Sequence, residues 1–373
     1  MTDAKMPIES LAEALRSAHP ELERIAAAAD GPVFVVGGAV RDQLLGRDRA
    51  DLDVVVVGDA AALARALGAM EIVENERFAT AKVEIAGHPV DIATARTETY
   101  PEPGALPVVT AAGDIEADLA RRDFTVNAMA VPVGGKGVLV DPHGGREDLE
   151  RGLLRILHPR SFEDDPTRAV RAARYASRFG LALEPETDVL IRRAHLGSVS
   201  ADRRTAELAR LASEPNAPRG FELLAGWGLL ALRDGGAGLA RTVADLLERE
   251  PWAGEVEPVP AVLAAALGPA GGEAELATAR PRRPSEAVEL ARGRDPVELA
   301  LARALGAEWL DRYMGEWRQV SLEIDGSDLI AAGVPEGPAF GTGLAAALRA
   351  KQDGEVSGRD QELAAALEAA RDR

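Results

Sequence analysis

Hydrophobic residues recur at helical spacing over residues 8 to 29 (Leu11, Ala14, Leu15, Ala18, Leu22, Ile25), and the run stops at Asp30-Gly31-Pro32, which predicts a helix. The period then changes. Val33-Phe34-Val35-Val36 is a short apolar run closed by Gly37-Gly38 and followed by a helix-like stretch from Ala39 to Leu45, the pattern of a strand, a tight turn and a helix. Leu52 to Val57, Lys82 to Ile85 and Val90 to Thr94 are β-branched runs, the last two joined across Gly87-His88 as a hairpin. Thr125 to Val133 and Val138 to Val140 predict two more strands. Residues 1–150 therefore read as a mixed α/β head with a sheet of about five strands, closed by Asp141-Pro142-His143-Gly144-Gly145.

Beyond Glu150 the strand pattern nearly vanishes. Alanine, leucine and arginine recur at spacings of three and four, interrupted at Pro185, Pro215, Pro218, Pro251 and Gly271-Gly272. The expected fold class is α+β: the head, then a helical neck (151–215), a helical body (216–300) and a helical tail (301–373). Gly268 to Pro284 predicts a loop between helical subdomains. Residues 100 to 117, with Pro101, Pro103, Gly104, Pro107 and Gly113, predict a mobile loop within the head.

Composition narrows the chemistry. The 373 residues include no cysteine, which excludes disulfides, thiolate nucleophiles, Fe–S clusters and cysteine zinc sites. The five histidines lie far apart without metal-ligand spacing, so a metal here would be hard and oxygen-bound. The net charge of −18, taken whole, argues against a nucleic-acid partner. By segment it resolves into −12 for residues 1–150, +4 for 151–210 and −10 for 211–373, and every positive charge of the middle segment is an arginine. Arginine suits planar, bidentate recognition of phosphates and bases. The first residues carry acids and no apolar run of signal-peptide length, and no stretch approaches the roughly 20 apolar residues that span a bilayer. No membrane partner, no obligate protein partner and a cytoplasmic location are expected.

Asp51-Leu52-Asp53 opens a strand, and alternation with period two points both carboxylates to one face. Adjacent acids repel, and a divalent cation relieves that; Mg²⁺ takes one or two carboxylates together with substrate phosphates. Asp91, in Val90-Asp91-Ile92, is a candidate third carboxylate from a neighbouring strand. The Gly37-Gly38 turn lets backbone N–H groups face a phosphate without Cβ obstruction, and Arg41, one turn on, can add a charged contact, with Asp42 orienting it. Either feature alone has a plainer reading, as a strand-start turn and a packing turn. A phosphate cradle and a metal pair on consecutive strands is what nucleotidyl transfer requires. Arg168, Arg171, Arg174 and Arg178 occupy one side of a helix, with Asp165 beside them.

These residues carry a resemblance. Gly37-Gly38-Ala39-Val40-Arg41-Asp42 followed by Asp51-Leu52-Asp53 resembles the first motif of class II tRNA nucleotidyltransferases and bacterial poly(A) polymerases, within the polymerase-β-like superfamily. Asp91 to Glu98 resembles the strand of the third acid, Arg121 to Ala130 the second motif, and Asp164-Asp165-Pro166-Thr167-Arg168 with Arg171 and Arg174 the nucleotide-reading helix. The resemblance covers roughly residues 30 to 215 and is looser beyond.

The resemblance implies a polymerase-β-like head that adds C and A to the 3′ end of tRNA from CTP and ATP, without a nucleic-acid template, using Mg²⁺. Asp51, Asp53 and Asp91 are then catalytic, with Asp51 and Asp53 as metal ligands. Gly37, Gly38, Arg41, Arg122, Asn127, Asp165, Arg168, Arg171 and Arg174 bind nucleotide, with Asp123 orienting Arg122. If Asp165 accepts and Arg168 donates toward a base's pairing edge, cytosine and adenine fit, whereas uracil and guanine leave unpaired polar groups. The family usually has Glu then Asp where this chain has Asp164-Asp165, which bears on how the template arginine is braced. Enzymes adding only CC, only A or poly(A), and a catalytically dead RNA-binding homologue, are the alternatives. The intact D-x-D stands against the last. The acceptor arm of tRNA is expected on neck, body and tail, and the mobile loop corresponds in place to one that influences the switch from C to A addition.

Overall fold

The structure is a computed structural model that describes residues 8–47, 51–68, 73–75, 79–134, 137–268, 271–335 and 337–371. The chain divides into two compact units, Met1–Asn216 with Leu223–Leu230, and Ala217–Glu222 with Ala231–Arg373.

The first unit contains strands β1 (Val33–Val36), β2 (Leu52–Val56), β3 (Val73–Asn75), β4 (Thr80–Ile85), β5 (His88–Thr94), β6 (Arg96–Thr99), β7 (Val108–Ala111) and β8 (Ala130–Pro132). Six of them form a mixed sheet in the order β3-β4-β5-β2-β1-β8; β2 and β5 run parallel and the other neighbours antiparallel. The α+β class and the mixed sheet hold, with the short edge strand β3 bringing the count to six. The predicted β4–β5 hairpin is present, with Ile85 opposite His88.

Alternation along the strands sorts the two faces. Leu52, Val54 and Val56 of β2 and Val90 and Ile92 of β5 pack into one core with the N-terminal helices. Val55 and Ala95 belong to a second, smaller core with Ile115 and Leu119. Asp53 shares its face with Val55, so the strand that fills the core with every second residue presents a carboxylate with the others.

Five expectations differ in detail. Val138 to Val140 makes a single bridge, Val140 to Ala130, rather than a strand. The N-terminal helix is two, α1 (Ile8–Ala18) and α2 (Glu21–Ala28), because Pro20 cannot donate to the carbonyl four residues earlier. Thr125–Asn127 is a 3₁₀ turn rather than strand, its buried polar side chains engaged by Asp148 and Asp123. Residues 100–117 include β7, which pairs with β6 in a separate two-stranded ribbon, with the bend between them. Within the predicted loop Gly268–Pro284, residues Glu273–Thr278 form a helix.

The segment 151–215 is helical apart from its loops and a pair of two-residue strands, Leu153–Leu154 and Ala182–Leu183. It carries a short helix Ser161–Asp164, the arginine helix Thr167–Phe179 and the helix Ala201–Ala212. The second unit is helical among the described residues. Trp252 is buried in it with Nε1 donating to Asp311, which also accepts from Arg303, both at 2.8 Å. Its last two helices, Pro338–Gln352 and Arg359–Arg371, pack where Gly343 meets the Ala366 carbonyl; a Cβ there would lie 2.6 Å from that oxygen.

Candidate nucleotide-transfer site

One cavity of about 820 Å³ in the first unit is lined by Gly37, Gly38, Arg41, Asp51, Asp53, Arg122, Asn127, Asp165, Arg168, Arg171 and Arg174. Eleven of the twelve residues that the sequence assigns to catalysis or nucleotide binding thus share one space. Asp91 lies elsewhere: it is opposite Asp53 in the β2–β5 register, lines a neighbouring smaller cavity with it, and has its carboxylate bound to Lys82 Nζ at 3.0 and 3.1 Å. Among the described residues no group of three or more His, Cys, Asp or Glu converges as a metal site. Asp91 is thus on the neighbouring strand, where the sequence placed it, in an exposed ion pair with Lys82.

Asp53 sits among negative neighbours. Burial pushes its carboxyl up to about 6, with Asp91 and Asp51 adding to the rise and Arg122 and Lys82 opposing it. A pair of acids held this way calls for a cation of hard, oxygen-preferring character.

The glycine turn is required sterically. Gly37 has φ +62°, and a Cβ on it would lie 2.9 Å from Arg122 Nη1. Arg122 is anchored by a residue absent from the sequence reading, Asp118, which is fully buried. Its Oδ2 accepts from Arg122 Nε at 3.2 Å and Nη2 at 2.9 Å, and its Oδ1 accepts from Arg121 Nε at 3.0 Å and Nη2 at 2.7 Å and from the Arg96 amide at 3.2 Å. Burial would raise the Asp118 carboxyl, but the two guanidiniums outweigh it and hold it below the ordinary carboxylate range. The D-x-x-R-R spacing across one helical turn was the available signal.

Asp123 orients other partners than Arg122. Its Oδ2 accepts from Arg171 Nε at 2.7 Å, and its Oδ1 from Asn127 Nδ2 at 3.0 Å and the Phe124 amide at 2.9 Å. Burial opposes ionisation, yet Arg171 and Asn127 bring its pKa down to about 2. Asn127 Oδ1 in turn accepts from Arg41 Nη1 at 2.5 Å. Arg41 is buried, bonded to Asp42 at 2.8 Å, and its guanidinium lies 4.2 Å over the Phe179 ring. Arg41 and Asn127 thus brace the turn and the arginine helix from the cavity wall, their polar atoms largely engaged by protein.

Arg174 differs. Its Nη2 donates to Tyr175 Oη at 3.2 Å, while its Nε is buried without a partner among the described residues. The guanidinium as a whole lines the cavity, where its positive charge suits an anionic ligand.

Arg168 and Asp165 face the same space. Arg168 Nη1 donates to Ser161 Oγ at 2.7 Å, and Nη2 to the Arg121 carbonyl at 2.9 Å and to Tyr100 Oη at 3.4 Å. Its brace is therefore Ser161 and a backbone carbonyl, whereas Asp164 pairs with Arg160 at 3.3 Å. Asp165 Oδ1 accepts from the Thr167 amide at 3.1 Å, Thr167 Oγ1 at 2.7 Å and Arg203 Nη2 at 2.9 Å, and Oδ2 has no partner among the described residues. Tyr100, Ser161 and Arg203 come from three segments far apart in sequence, with no local pattern to mark them.

Residues 33–155 match the Poly A polymerase head domain. A CC-adding tRNA nucleotidyltransferase of Deinococcus radiodurans is 36% identical over 350 residues, covering 90% of this chain and 89% of that protein. The chain belongs to the tRNA nucleotidyltransferase family. An A-adding tRNA nucleotidyltransferase of Halalkalibacterium halodurans is 43% identical over 205 residues, 52% of this chain, and the match spans 48% of that relative's length. Among solved structures, this nucleotidyltransferase superposes on a CCA-adding enzyme, apo form II, with a TM-score of 0.79 at 28% identity, covering 95% of this chain and 96% of the other. No helix among the described residues is long and apolar enough to cross a membrane.

Proposed function

We propose that this nucleotidyltransferase adds C and A from CTP and ATP to the 3′ end of tRNA, without a nucleic-acid template and with release of pyrophosphate. The observation that carries the reading is that one cavity is lined both by the carboxylate pair Asp51 and Asp53 and by the hydrogen-bonding pair Asp165 and Arg168. Transfer and base choice can then occur on one bound nucleotide.

Mg²⁺ is the cation this donor set suits, all oxygen and doubly acidic, and Asp51 and Asp53 are the residues that would hold it. When bound, it supplies charge neutralisation for the triphosphate and acidification of the attacking 3′-hydroxyl. The chain's own residues do the rest. Arg122, fixed by Asp118 against Gly37, and Arg174, which lines the cavity, offer charge to phosphate oxygens. Asp165 Oδ2 accepts from the amino group of cytosine or adenine, and Arg168 retains its Nε–H and one Nη1–H for the adjacent ring nitrogen. Uracil and guanine present a carbonyl to Asp165 and an N–H to Arg168, so both contacts turn repulsive. Asp91, held by Lys82, contributes to the field around Asp53.

The Deinococcus relative, matched over most of both chains, favours a second reading in which only CC is added. The test supplies tRNA lacking the whole CCA end, tRNA ending in CC and complete tRNA, with CTP and ATP singly and together. Extension by three nucleotides supports the proposal, extension by two the second reading, and no Mg²⁺-dependent extension overturns both.

A further inference from the structure

The base-reading carboxylate is held by two different parts of the chain. All three donors to Asp165 converge on Oδ1: the Thr167 amide, Thr167 Oγ1 and Arg203 Nη2. One carboxylate oxygen is saturated and the other is the sole acceptor left for a ligand. The first two donors are local, two residues along the chain. The third is not. Arg203 belongs to the helix Ala201–Ala212, and its other terminal nitrogen, Nη1, donates to the carbonyl of Gly104 at 2.7 Å.

Gly104 lies in the bend between β6 and β7, where the sequence predicted mobility. It is nonetheless buried between exposed Pro103 and half-buried Ala105. Its amide donates to the Asp164 carbonyl at 3.2 Å, its φ is +75°, and a Cβ there would lie 2.6 Å from the Ser198 carbonyl oxygen. Tyr100, at the start of the same bend, accepts from Arg168 Nη2 and donates to Glu98 at 2.9 Å. The bend therefore touches both base-reading residues, Arg168 directly through Tyr100 and Asp165 through one guanidinium.

We infer that Arg203 is a positioning residue for base selection, which holds Asp165 with Oδ2 free for the base and ties that orientation to the seating of the 100–107 bend. The inference rests on the base-reading role proposed above. Without Arg203 the carboxylate keeps Thr167 on one oxygen but loses its only charged donor, so it can present either oxygen or turn from the base. The result is a nucleotide that is still held by its phosphates and less well discriminated.

The experiment compares wild-type protein with Arg203→Ala, Arg203→Lys and Gly104→Ala in steady-state single-nucleotide addition to tRNA, measuring kcat/KM for CTP against UTP and ATP against GTP. A charged hydrogen bond of this kind corresponds to roughly a tenfold change, so each ratio falls about tenfold in Arg203→Ala, chiefly through KM. Arg203→Lys keeps the charge but reaches one acceptor, and recovers part of the ratio. Gly104→Ala unseats the bend with Arg203 intact and lowers the ratios in the same direction. The Mg²⁺ dependence stays at the wild-type value throughout. Ratios within twofold of wild type in Arg203→Ala, or rates reduced equally for all four nucleotides, overturn the inference. Should Arg203→Ala not fold, unchanged ratios in Arg203→Lys and Gly104→Ala overturn it equally. Failure of the wild-type protein to extend tRNA overturns the functional proposal itself, a result separate from unchanged selectivity in active variants.

Discussion

Replacing Asp118 by Asn tests how the phosphate-facing arginine is held. The side chain keeps its shape, but one acceptor oxygen becomes an NH₂ donor and the negative charge disappears. In the native protein Oδ1 serves Arg121 and the Arg96 amide, and Oδ2 serves Arg122. Whichever oxygen is lost, one guanidinium loses both its bonds to this side chain and faces a donor instead. The two arginine side chains are 16% and 17% exposed and the carboxylate 0%, so solvent screens the loss only in part. Removing one partner of a buried charge cluster costs about 3–5 kcal/mol. For a unit of this size, each kcal/mol is worth roughly 2–4 °C, so the melting temperature of the first unit falls on the order of 10 °C. Because the chain holds two units, the melt is followed by a probe confined to the first, such as hydrogen exchange of the β-sheet amides. The same substitution frees Arg122 from its seat beside Gly37, and KM for CTP and ATP rises about tenfold, the value of one charged contact. A variant within about 0.5 kcal/mol of wild type, a surface-like effect, and with unaltered KM refutes the reasoning.

Asp53→Asn is expected to stabilise the cation-free protein while abolishing transfer. The folded-state pKa of about 6 lies above the unfolded value, so the native state binds more protons between about 4 and 6, and stability declines as pH rises through that window. At pH 7 the cost is fully present and, discounted for partial exposure, is roughly 2 kcal/mol; urea midpoints of wild type and variant at pH 5 and pH 7 check it, and equal midpoints at both pH values contradict it. Asp123 carries the opposite sign: with a folded pKa of about 2, its stabilisation is present above the unfolded value and is lost as pH falls from about 4 toward 2. Asp123→Ala therefore flattens acid unfolding in that range and, by leaving Arg171 unpaired, destabilises by about 3 kcal/mol at pH 7, read from a urea titration. Gly145→Ala places a Cβ 2.1 Å from the Thr125 carbonyl, backbone against backbone. It is expected to cost about 3 kcal/mol in the same titration and to reduce transfer through the 3₁₀ turn bearing Asn127.

The head was legible because its signals are local. Val33–Val36, a short apolar run closed by Gly37, and the β4–β5 hairpin across Gly87 are local patterns that end at glycine, and the structure has both. D-x-D was legible for the same reason, since strand alternation alone puts both acids on one face. The one-sided arginine row was equally plain, because a helix repeats every three to four residues. Failures came where a local pattern met a longer-range demand. Pro20 split a continuous apolar stripe, and Thr125–Asn127 gave up strand geometry to satisfy buried bonds with Asp123 and Asp148. The bend at 100–107 has the composition of a mobile loop, yet Gly104 is buried under a contact 99 residues distant in sequence.

What the sequence determined, then, is the order of elements and which side chains share a face. Whether those side chains are available to a ligand was decided by tertiary structure. Arg41, Asn127 and Arg168 look alike on paper as charge and amide facing a nucleotide, but the fold engages Arg41 and Asn127 with protein and leaves Arg168 two free N–H groups. It sets Lys82 on Asp91, gives Arg122 to Asp118 rather than Asp123, and brings Arg203 to Asp165. The reason is physical: alternation and helical period depend on neighbours a few residues away, whereas a buried charge takes whichever opposite charge the packed chain places within about 3 Å of it.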